Sequence, residues 1–325
     1  MIVKLLTQLM LASTVLQFLP ADAGDLEARA TLPDAPTRAF DLFETYDKIS
    51  YRLPQAVDRT KAPVKLVSSS MGVVTSAQSA IVVDRRSHEV LFEKNVSEPR
   101  AIGSITKLMT AFVFLQGNPD LDGPATLTAE DIRYGAELHL AIGETVTVRD
   151  LLSASLVGSD NSSTAALARL SGMALGDFIA RMNETAAEFG MQRTTFDDTT
   201  GLSSKNVSVV SDLAIMFDKI LQNEAIGEIT QLSSVTIIGG SGRMYVVEST
   251  DELLGTFVDQ APYDIIGGKT GYLPEAGYCL GTVFSHEKGG ELIVVVLGSD
   301  TKQGRFQDVK SLAVWAYKTF DWSTL

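Results

Sequence analysis

Short apolar runs bounded by turn residues occur in two parts of the chain, a pattern typical of β-strands. Ala80–Val83 and Val90–Phe92 are separated by Asp84-Arg85-Arg86-Ser87, which predicts a hairpin. Later strands are predicted at Val235–Ile238, Met244–Val247, Ile265–Ile266, Tyr278–Phe284 and Leu292–Leu297. The predicted strands therefore form two groups, which a long central segment separates.

The central segment carries apolar residues at helical spacing. A helix that opens at Ser104 and ends at Gly117 is predicted by Leu108, Met109, Ala111, Phe112 and Leu115. Further helices are predicted at Asp150–Val157, Asn161–Leu170, Gly176–Phe189, Asp212–Leu221 and Phe306–Tyr317. This order of strands, helices, strands and one last helix predicts an α+β fold. We expect an antiparallel sheet built from both groups of strands and flanked by helices, with an all-helical subdomain inserted.

The N-terminus has the pattern of a secretory signal peptide. Lys4 precedes an apolar run over residues 5–19, Pro20 ends that run, and Ala21-Asp22-Ala23 has the small-residue form of a cleavage site. The run is about 15 residues long, against the ~20 that cross a bilayer. We predict a signal peptide over residues 1–23 and export to the periplasm. The domains that follow are an irregular leader over 24–70, with one short helix near Phe40–Tyr46, and a folded domain over 71–325.

Composition narrows the possible partners and cofactors. The chain has 325 residues and a formal net charge of −13, so we expect no nucleic-acid partner. Cys279 is the only cysteine, which excludes an intramolecular disulfide, and its apolar neighbours predict a buried side chain. The three histidines have no partner at the spacing of a zinc site. We expect neither a metal nor a cofactor.

Three short strings carry the candidate chemistry: Ser104–Lys107, Ser159-Asp160-Asn161 and Lys269-Thr270-Gly271. Together they supply a nucleophile, an adjacent cation, a hydroxyl–amide pair and a cationic strand, a set that suits acyl transfer through a serine ester. Each string alone is weak, since Ser-x-x-Lys also occurs at Ser285–Lys288 and Ser299–Lys302. The order and separation of the three strings strengthen the prediction.

The first string predicts a serine activated by a lysine. Ser104 at a helix N-terminus lies one turn from Lys107, so the amine can reach the hydroxyl. To accept a proton, Lys107 must be neutral, and we expect burial first and the charge of Lys269 second to lower its pKa. The alternative for an isolated match is a helix-capping serine followed by a solvated lysine.

The other two strings predict the remaining walls of the site. If the backbone is extended, the Ser159 hydroxyl and the Asn161 amide face the cleft together, and Asp160 points away and holds the loop. A plain helix cap is the alternative and is compatible with function. Lys269 offers a fixed positive charge and Thr270 a hydroxyl for a substrate carboxylate, unless the string is an ordinary glycine-flanked strand with an exposed lysine.

Close approach of the substrate to the last strand is also expected. Gly271 lets a substrate backbone lie against the strand, as in β-strand addition. The backbone N–H groups of Ser104 and Tyr272 can then form an oxyanion hole.

The residues around the strings resemble low-molecular-mass penicillin-binding proteins, the serine D-alanyl-D-alanine carboxypeptidases and endopeptidases. The resemblance runs from about Ala80 to Trp315, through Ala101–Ala111, Gly143-Glu144, Val148–Leu152, Met182-Asn183, Thr195-Phe196, Thr200–Leu202, Ser211–Ala214, Gly268–Tyr272 and Ala276–Tyr278. It implies a penicillin-binding-protein/β-lactamase-like fold, with peptidoglycan stem peptides ending in D-Ala-D-Ala as substrate and β-lactam antibiotics as ligands. The implied catalytic residues are Ser104, Lys107 and Ser159. The implied substrate-binding residues are Asn161, Lys269, Thr270, Gly271, Tyr272 and Arg305.

The chain departs from this family at several points. Asp160 stands where the family often has Gly or Asn, and Asp251 stands where it usually has Asn. The sequence ends at Leu325, without the β-sandwich and amphipathic tail of many carboxypeptidases, so we expect no stable membrane anchor after signal cleavage. Because members without those parts are often endopeptidases, carboxypeptidase action is the first prediction and cleavage of cross-links the alternative.

Two other functions fit less well. A class A β-lactamase needs a glutamate followed four residues later by asparagine between the second and third strings, and no glutamate there has one. A non-catalytic peptidoglycan-binding protein would not need an intact Ser104, Lys107, Ser159, Asn161 and Lys269.

Overall fold

The structure is a computed structural model that describes residues 61–322 except residue 136. The predicted signal peptide and the predicted helix near Phe40–Tyr46 lie outside the described residues. Among the helices of the described part, none is both long and apolar enough to cross a membrane.

The elements are named here in chain order. The strands are β1 Val64–Lys65, β2 Ser79–Asp84, β3 Val90–Lys94, β4 Arg100–Ala101, β5 Pro124–Thr126, β6 Thr145–Thr147, β7 Val207–Ser208, β8 Ser234–Ile238, β9 Met244–Glu248, β10 Tyr263–Leu273, β11 Gly277–His286, β12 Glu291–Ser299 and β13 Phe320–Asp321. The α-helices are α1 Thr106–Gln116, α2 Val148–Leu156, α3 Asn161–Leu170, α4 Leu175–Phe189, α5 Val210–Ile220, α6 Glu224–Thr230 and α7 Lys302–Thr319. Short 3₁₀ turns cover Gly103–Ile105, Ala129–Asp131 and Phe257–Asp259.

A five-stranded antiparallel sheet of order β10-β11-β12-β2-β3 joins the first group of predicted strands to three of the later ones. The other two predicted strands, Val235–Ile238 and Met244–Val247, lie outside this sheet and pair with each other as the hairpin β8–β9. The hairpin β2–β3 forms as predicted, and Ala80 of β2 pairs with Val296 of β12. The α+β prediction is therefore confirmed. Strand β10 lies at one edge of this sheet and is longer than the predicted strand Ile265–Ile266. The prediction was too short because the glycines and Lys269 of β10 interrupt the apolar pattern.

The sheet separates two hydrophobic cores, which explains its continuous apolar strands. Ile81 and Val83 face the helical core that contains α1 and α5, whereas Ala80 and Val82 face the core beneath α7. Strand β12 alternates in the same way and is buried on both faces. A fully buried aliphatic side chain contributes about 1.5–3 kcal/mol, so the two faces together fix the register of the strand.

Residues assigned to the leader take part in the fold. Strand β1 pairs with β13, with Val64 opposite Asp321. The folded domain therefore includes residues before Met71. The two exposed residues of β1 have no pattern from which this pairing could be predicted.

Helix α1 places the first string at the edge of the sheet. Eight of its eleven residues are buried, because α1 runs through the middle of the helical region. The turn Gly103–Ile105 at its N-terminus packs against β10. The cleft between this turn, the start of α3 and strand β10 is where the three strings meet.

Candidate active site

The Ser104 hydroxyl lies next to the Lys107 amine. Ser104 stands in the 3₁₀ turn Gly103–Ile105, directly before α1, and Lys107 Nζ lies 2.8 Å from Ser104 Oγ. Gly103 begins the turn with a left-handed φ of +54°. The predicted contact between nucleophile and lysine is present in the structure.

Lys107 is completely buried and has three hydrogen-bond partners. Besides contacting Ser104, its Nζ donates to Asn161 Oδ1 and to the Thr200 carbonyl, each at 2.7 Å. Burial lowers the pKa of Lys107 to about 7. Burial is the main cause of the low pKa, as expected, but the second influence on the pKa of Lys107 is a carboxylate and not the charge of Lys269. The carboxylates of Asp160 and Asp198 oppose the effect of burial and raise the pKa of Lys107.

The Thr200 carbonyl is a part of the site that the sequence reasoning missed. Asp198 holds the loop around it, because its carboxylate accepts hydrogen bonds from the backbone N–H groups of Thr200, Gly201 and Ser203. Gly201 has a φ of +88°, and a Cβ there would collide with the Gly103 carbonyl. The sequence Asp-Thr-Thr-Gly is a turn signal, but nothing in it indicates a partner in α1.

The second string differs from the expected extended loop. Ser159 is left-handed, with a φ of +58°, and the Asp160 side chain caps α3 by accepting from the N–H groups of Ser162 and Ser163. Asp160 Oδ2 also accepts from His139 N, so Asp160 holds the loop as expected. Ser159 Oγ accepts a hydrogen bond from Lys269 Nζ at 3.0 Å.

Lys269 is buried, and the structure corrects the expectation of a fixed charge. Its pKa lies well below the usual value because burial disfavours the ammonium form and the charges of Lys107 and Arg305 act in the same direction. The carboxylate of Asp251 opposes both effects. The charge of Lys107 thus lowers the pKa of Lys269, so the two buried amines do not titrate independently.

The rest of the third string is shaped by packing within the protein. A Cβ at Gly271 would collide with the Ile102 carbonyl, so this glycine is required by contact with the nucleophile turn and not only by substrate. The Gly271 carbonyl accepts from Arg305 Nη1 at 3.2 Å. A Cβ at Gly103 would lie 2.7 Å from Tyr272 N, which places the backbones of the nucleophile turn and β10 side by side. Thr270 Oγ1 lies 2.7 Å from Thr250 Oγ1.

These residues surround a cavity of about 420 Å³. Its lining includes Ser104, Ser159, Thr270, Gly271, Tyr272 and Arg305, and it also includes His139, Glu248 and Glu252, which the sequence reasoning did not single out. Lys107, Asn161 and Lys269 lie beneath this lining and reach it through the hydrogen bonds above. The structure therefore brings together all nine predicted site residues.

A comparison with known families agrees with the motifs. The family model for D-alanyl-D-alanine carboxypeptidase matches residues 66–301, which include all three strings. The chain belongs to the D-alanyl-D-alanine carboxypeptidase family. Membership of this family makes the chain a serine hydrolase. The close contact of Ser104 with Lys107 is therefore a feature of an enzyme.

Individual relatives agree with this family assignment. A D-alanyl-D-alanine endopeptidase of Haemophilus influenzae is 34% identical over 238 residues, which cover 72% of this chain and 80% of that protein. The Streptomyces K15 DD-transpeptidase superposes with a TM-score of 0.71 at 26% identity, over 77% of this chain and 100% of its own. Penicillin-binding protein D2 of Listeria monocytogenes, solved in its ampicillin-bound form, gives 0.65 at 31% identity, over 76% and 99%. The fold predicted from the resemblance is confirmed.

The single cysteine lies directly behind the third string, where Cys279 of β11 pairs with Gly271 of β10. Cys279 is fully buried, and burial raises the pKa of its thiol to about 11, so it is a packing residue as predicted. Within residues 61–322, leaving aside 136, no group of three or more His, Cys, Asp or Glu side chains is arranged to hold a metal ion.

Proposed function

We propose that this chain is a serine DD-carboxypeptidase that removes the terminal D-Ala from peptidoglycan stem peptides through an acyl-enzyme on Ser104. The observation that carries the proposal is the 2.8 Å contact between Ser104 Oγ and the buried Lys107 Nζ. With a pKa of about 7, Lys107 is neutral in a large fraction of molecules at neutral pH and can serve as the base.

The partners of Lys107 suit a neutral amine. A neutral amine donates two hydrogen bonds and accepts one. Asn161 Oδ1 and the Thr200 carbonyl can only accept, so they take both N–H groups. The lone pair is then left for the Ser104 hydroxyl. The arrangement orients the base toward the nucleophile before substrate binds.

In the first half-reaction, Ser104 Oγ attacks the carbonyl carbon of the penultimate D-Ala and its proton passes to Lys107. When the peptide C–N bond breaks, the departing amine takes a proton from Ser159 Oγ, which recovers one from Lys269 at 3.0 Å. After acylation Lys107 holds one proton more and Lys269 one fewer, and proton exchange with solvent restores both. Water then attacks the ester and gives a proton to Lys107, and Lys107 returns it to Ser104 Oγ as the ester C–O bond breaks and the shortened peptide leaves.

Two further groups stabilise the reacting substrate. The backbone N–H groups of Ser104 and Tyr272, on adjoining backbones, would bind the oxyanion, and one such donor is typically worth ~3 kcal/mol. Lys269, Thr270 and Arg305 would bind the terminal carboxylate. Arg305 is suited to this because its Nε is buried and has no hydrogen-bond partner among the described residues.

Cleavage of cross-links is a second candidate, because the relative from Haemophilus influenzae is named an endopeptidase. The acyl-enzyme would be the same, and only the departing amine would be larger. β-Lactams would acylate Ser104 as substrate analogues. The apolar run before Ala21-Asp22-Ala23 supports export to the periplasm and removal of residues 1–23.

The test compares Ser104→Ala with Ser285→Ala. Ser285 belongs to another Ser-x-x-Lys string and lies in β11 rather than at a helix start. We expect a fluorescent penicillin to label wild type and S285A and not S104A, and persistent labelling of S104A would contradict the assignment. Separation of muropeptides from digested sacculi then decides the reaction: released D-Ala indicates the carboxypeptidase, and cleaved cross-links indicate the endopeptidase.

A further inference from the structure

The hairpin β8–β9 forms one wall of the cavity and takes no part in the proton transfers. Val246 and Glu248 of β9 line the cavity, and so do Ser249 and Thr250, which follow this strand. Thr250 Oγ1 lies 2.7 Å from Thr270 Oγ1, which would bind the terminal carboxylate. The base of the hairpin therefore lies at the end of the cavity that receives the leaving group.

The outer face of this hairpin is an exposed apolar row that begins in the cavity. Side chains alternate between the two faces of a strand, and Met244 and Val246 on the outer face of β9 are 65% and 60% exposed. Ile238 of β8 lies opposite Met244 and is 64% exposed. From Glu248 to Met244 the row extends about 13 Å. Because Val246 belongs both to the cavity and to the row, a substrate that extends beyond the cavity would continue along this face.

A long leaving group matches the row in length and in chemistry. A terminal D-Ala spans only about 3.5 Å and ends at the carboxylate site. In a cross-linked substrate the leaving group is a second peptide, joined through an amine at the end of an aliphatic side chain. That aliphatic arm would bury apolar surface against Val246 and Met244, which is favourable in water.

Glu144 holds the turn of this hairpin in place. Among the described strands, β8 and β9 pair only with each other, and an isolated two-stranded hairpin is marginally stable. The Glu144 side chain, 8% exposed, accepts from Ser241 N at 3.0 Å, from Ser241 Oγ at 2.7 Å and from the Tyr245 hydroxyl at 2.6 Å. Gly240 N also donates to the Thr145 carbonyl at 2.8 Å. Glu144 does not line the cavity, so it acts on a substrate only through the hairpin.

We propose that the outer face of β8–β9 is the surface that binds a long leaving group, and that Glu144 is the positioning residue that holds this surface at the cavity. The inference rests on the proposed function, because a leaving group departs only when Ser104 is acylated. Loss of the Glu144 carboxylate would release the turn and let Val246 move away from the substrate. The contact of Ser104 with Lys107 lies on other elements and would stay as it is.

The test compares three substrates that share one acyl part and differ in the group that leaves: a methyl thioester, a D-Ala residue, and a second peptide joined through a side-chain amine. Glu144→Ala should lower kcat/KM for the last substrate by ~10-fold or more, since a displacement of about 1 Å can cost up to ~10²-fold. The loss should be smaller for D-Ala and absent for the thioester, whose leaving group is too short to reach the hairpin.

Two further variants separate position from charge and from general damage. Glu144→Gln should restore the wild-type values, because its amide oxygen accepts from Ser241 N and its amide N–H groups donate to the two hydroxyls. Asp84→Ala is the matched control. Asp84 stands at the turn of the hairpin β2–β3, at the far end of the sheet from β10, and accepts from Ser87 N, Ser87 Oγ and Trp322 Nε1. D84A should leave the ratios between the three substrates unchanged.

Val246→Ser tests the surface itself and decides the proposal even if E144A does not fold. We expect a loss of at least ~3-fold for the long leaving group only, and no loss for Val90→Ser, which changes an exposed valine on β3. An equal loss with all three substrates, or no loss in V246S, would overturn the proposal. If wild type forms no acyl-enzyme on Ser104, the proposed function fails instead, and this outcome is distinct because none of the three substrates is then cleaved.

Discussion

The two sides of the cleft differ in how far their buried polar atoms are hydrogen-bonded. On the nucleophile side (Ser104, Lys107, Asn161 and Thr200), the Lys107 amine has three hydrogen-bond partners, the Ser104 hydroxyl, the Asn161 side-chain oxygen and the Thr200 carbonyl. On the cation side (Asp251, Lys269, Thr282 and Arg305), three buried atoms, Asp251 Oδ2, Thr282 Oγ1 and Arg305 Nε, have no partner among the residues that the structure describes.

The difference follows from what each side must do. Proton transfer needs a base with a fixed orientation, so its hydrogen bonds must be complete before substrate arrives. Binding a carboxylate needs hydrogen-bond donors that are still available. A cation whose donors all bond protein oxygens would have to break those bonds before it could bind the ligand. The nucleophile side is therefore preorganised, whereas on the cation side Arg305 Nε keeps an N–H group that no described residue accepts.

The largest expected effect is on the nucleophile side. Lys107→Arg keeps the positive charge but cannot accept a proton, because guanidinium stays ionised. We expect the rate of acylation by penicillin to fall by ~10³-fold or more, at the upper part of the range for loss of a general base. Stopped-flow or gel-based labelling measures this rate. An arginine variant that acylates at the wild-type rate would show that Lys107 is not the base.

A smaller effect is expected on the cation side. Lys269→Gln removes a charged donor from the carboxylate site, and a hydrogen bond to a charged group is worth about 1.5–3 kcal/mol, or roughly 10–100-fold in KM. Removing this neighbouring charge should also raise the pKa of Lys107 and move the rising limb of activity to higher pH. Steady-state kinetics across pH measure both effects.

The control for that variant is Lys288→Gln, which neutralises an exposed lysine in one of the other Ser-x-x-Lys strings. Its KM and pH profile should match those of wild type. Equal changes in K269Q and K288Q would indicate a general charge effect and would remove the distinction between the two sides.

The pH dependence of the unmodified enzyme tests the Lys107 base directly. Lys107 is inactive when protonated, and its pKa is about 7. Activity should therefore rise with pH through this value and should fall about tenfold for each pH unit below it. A profile of kcat/KM from pH 5 to 9 checks this. A rate that is flat from pH 5 to 7 would contradict the assignment.

The smallest expected effect is on the free energy of unfolding, and it compares one buried threonine near each side of the cleft. Thr110, in α1 next to the nucleophile side, donates to the Thr199 carbonyl at 2.6 Å, whereas the equally buried Thr282 hydroxyl has no partner among the described residues. Thr110→Val should lower the free energy of unfolding by about 1–2 kcal/mol, because it leaves a buried carbonyl unpaired. Thr282→Val should change it by less than about 0.5 kcal/mol or stabilise the fold.

Urea denaturation of the two variants measures this difference. Because each replaces threonine with valine at a fully buried position, differences in size and burial largely cancel. An equal loss of stability in both variants would show that the Thr282 hydroxyl has a partner after all and that the cation side is not left open.

The sequence by itself determined the elements and the chemistry that they carry. Apolar periodicity and turn residues are local signals, so the hairpin, α1 and the two-sided strand β12 could be predicted from neighbouring residues. The reacting groups were found for the same reason, since Ser104 and Lys107 are one helical turn apart. The length of β10 was missed because glycines and a lysine weaken the same local signals.

Only the tertiary structure decided how those groups are charged. The Thr200 carbonyl is 93 residues from Lys107, and Ser159 is 110 residues from Lys269, so no local pattern links them. The pKa of each lysine depends on burial and on charges from other elements of the fold. Electrostatics in a buried site depends on distances through space, and the folded packing alone sets those distances.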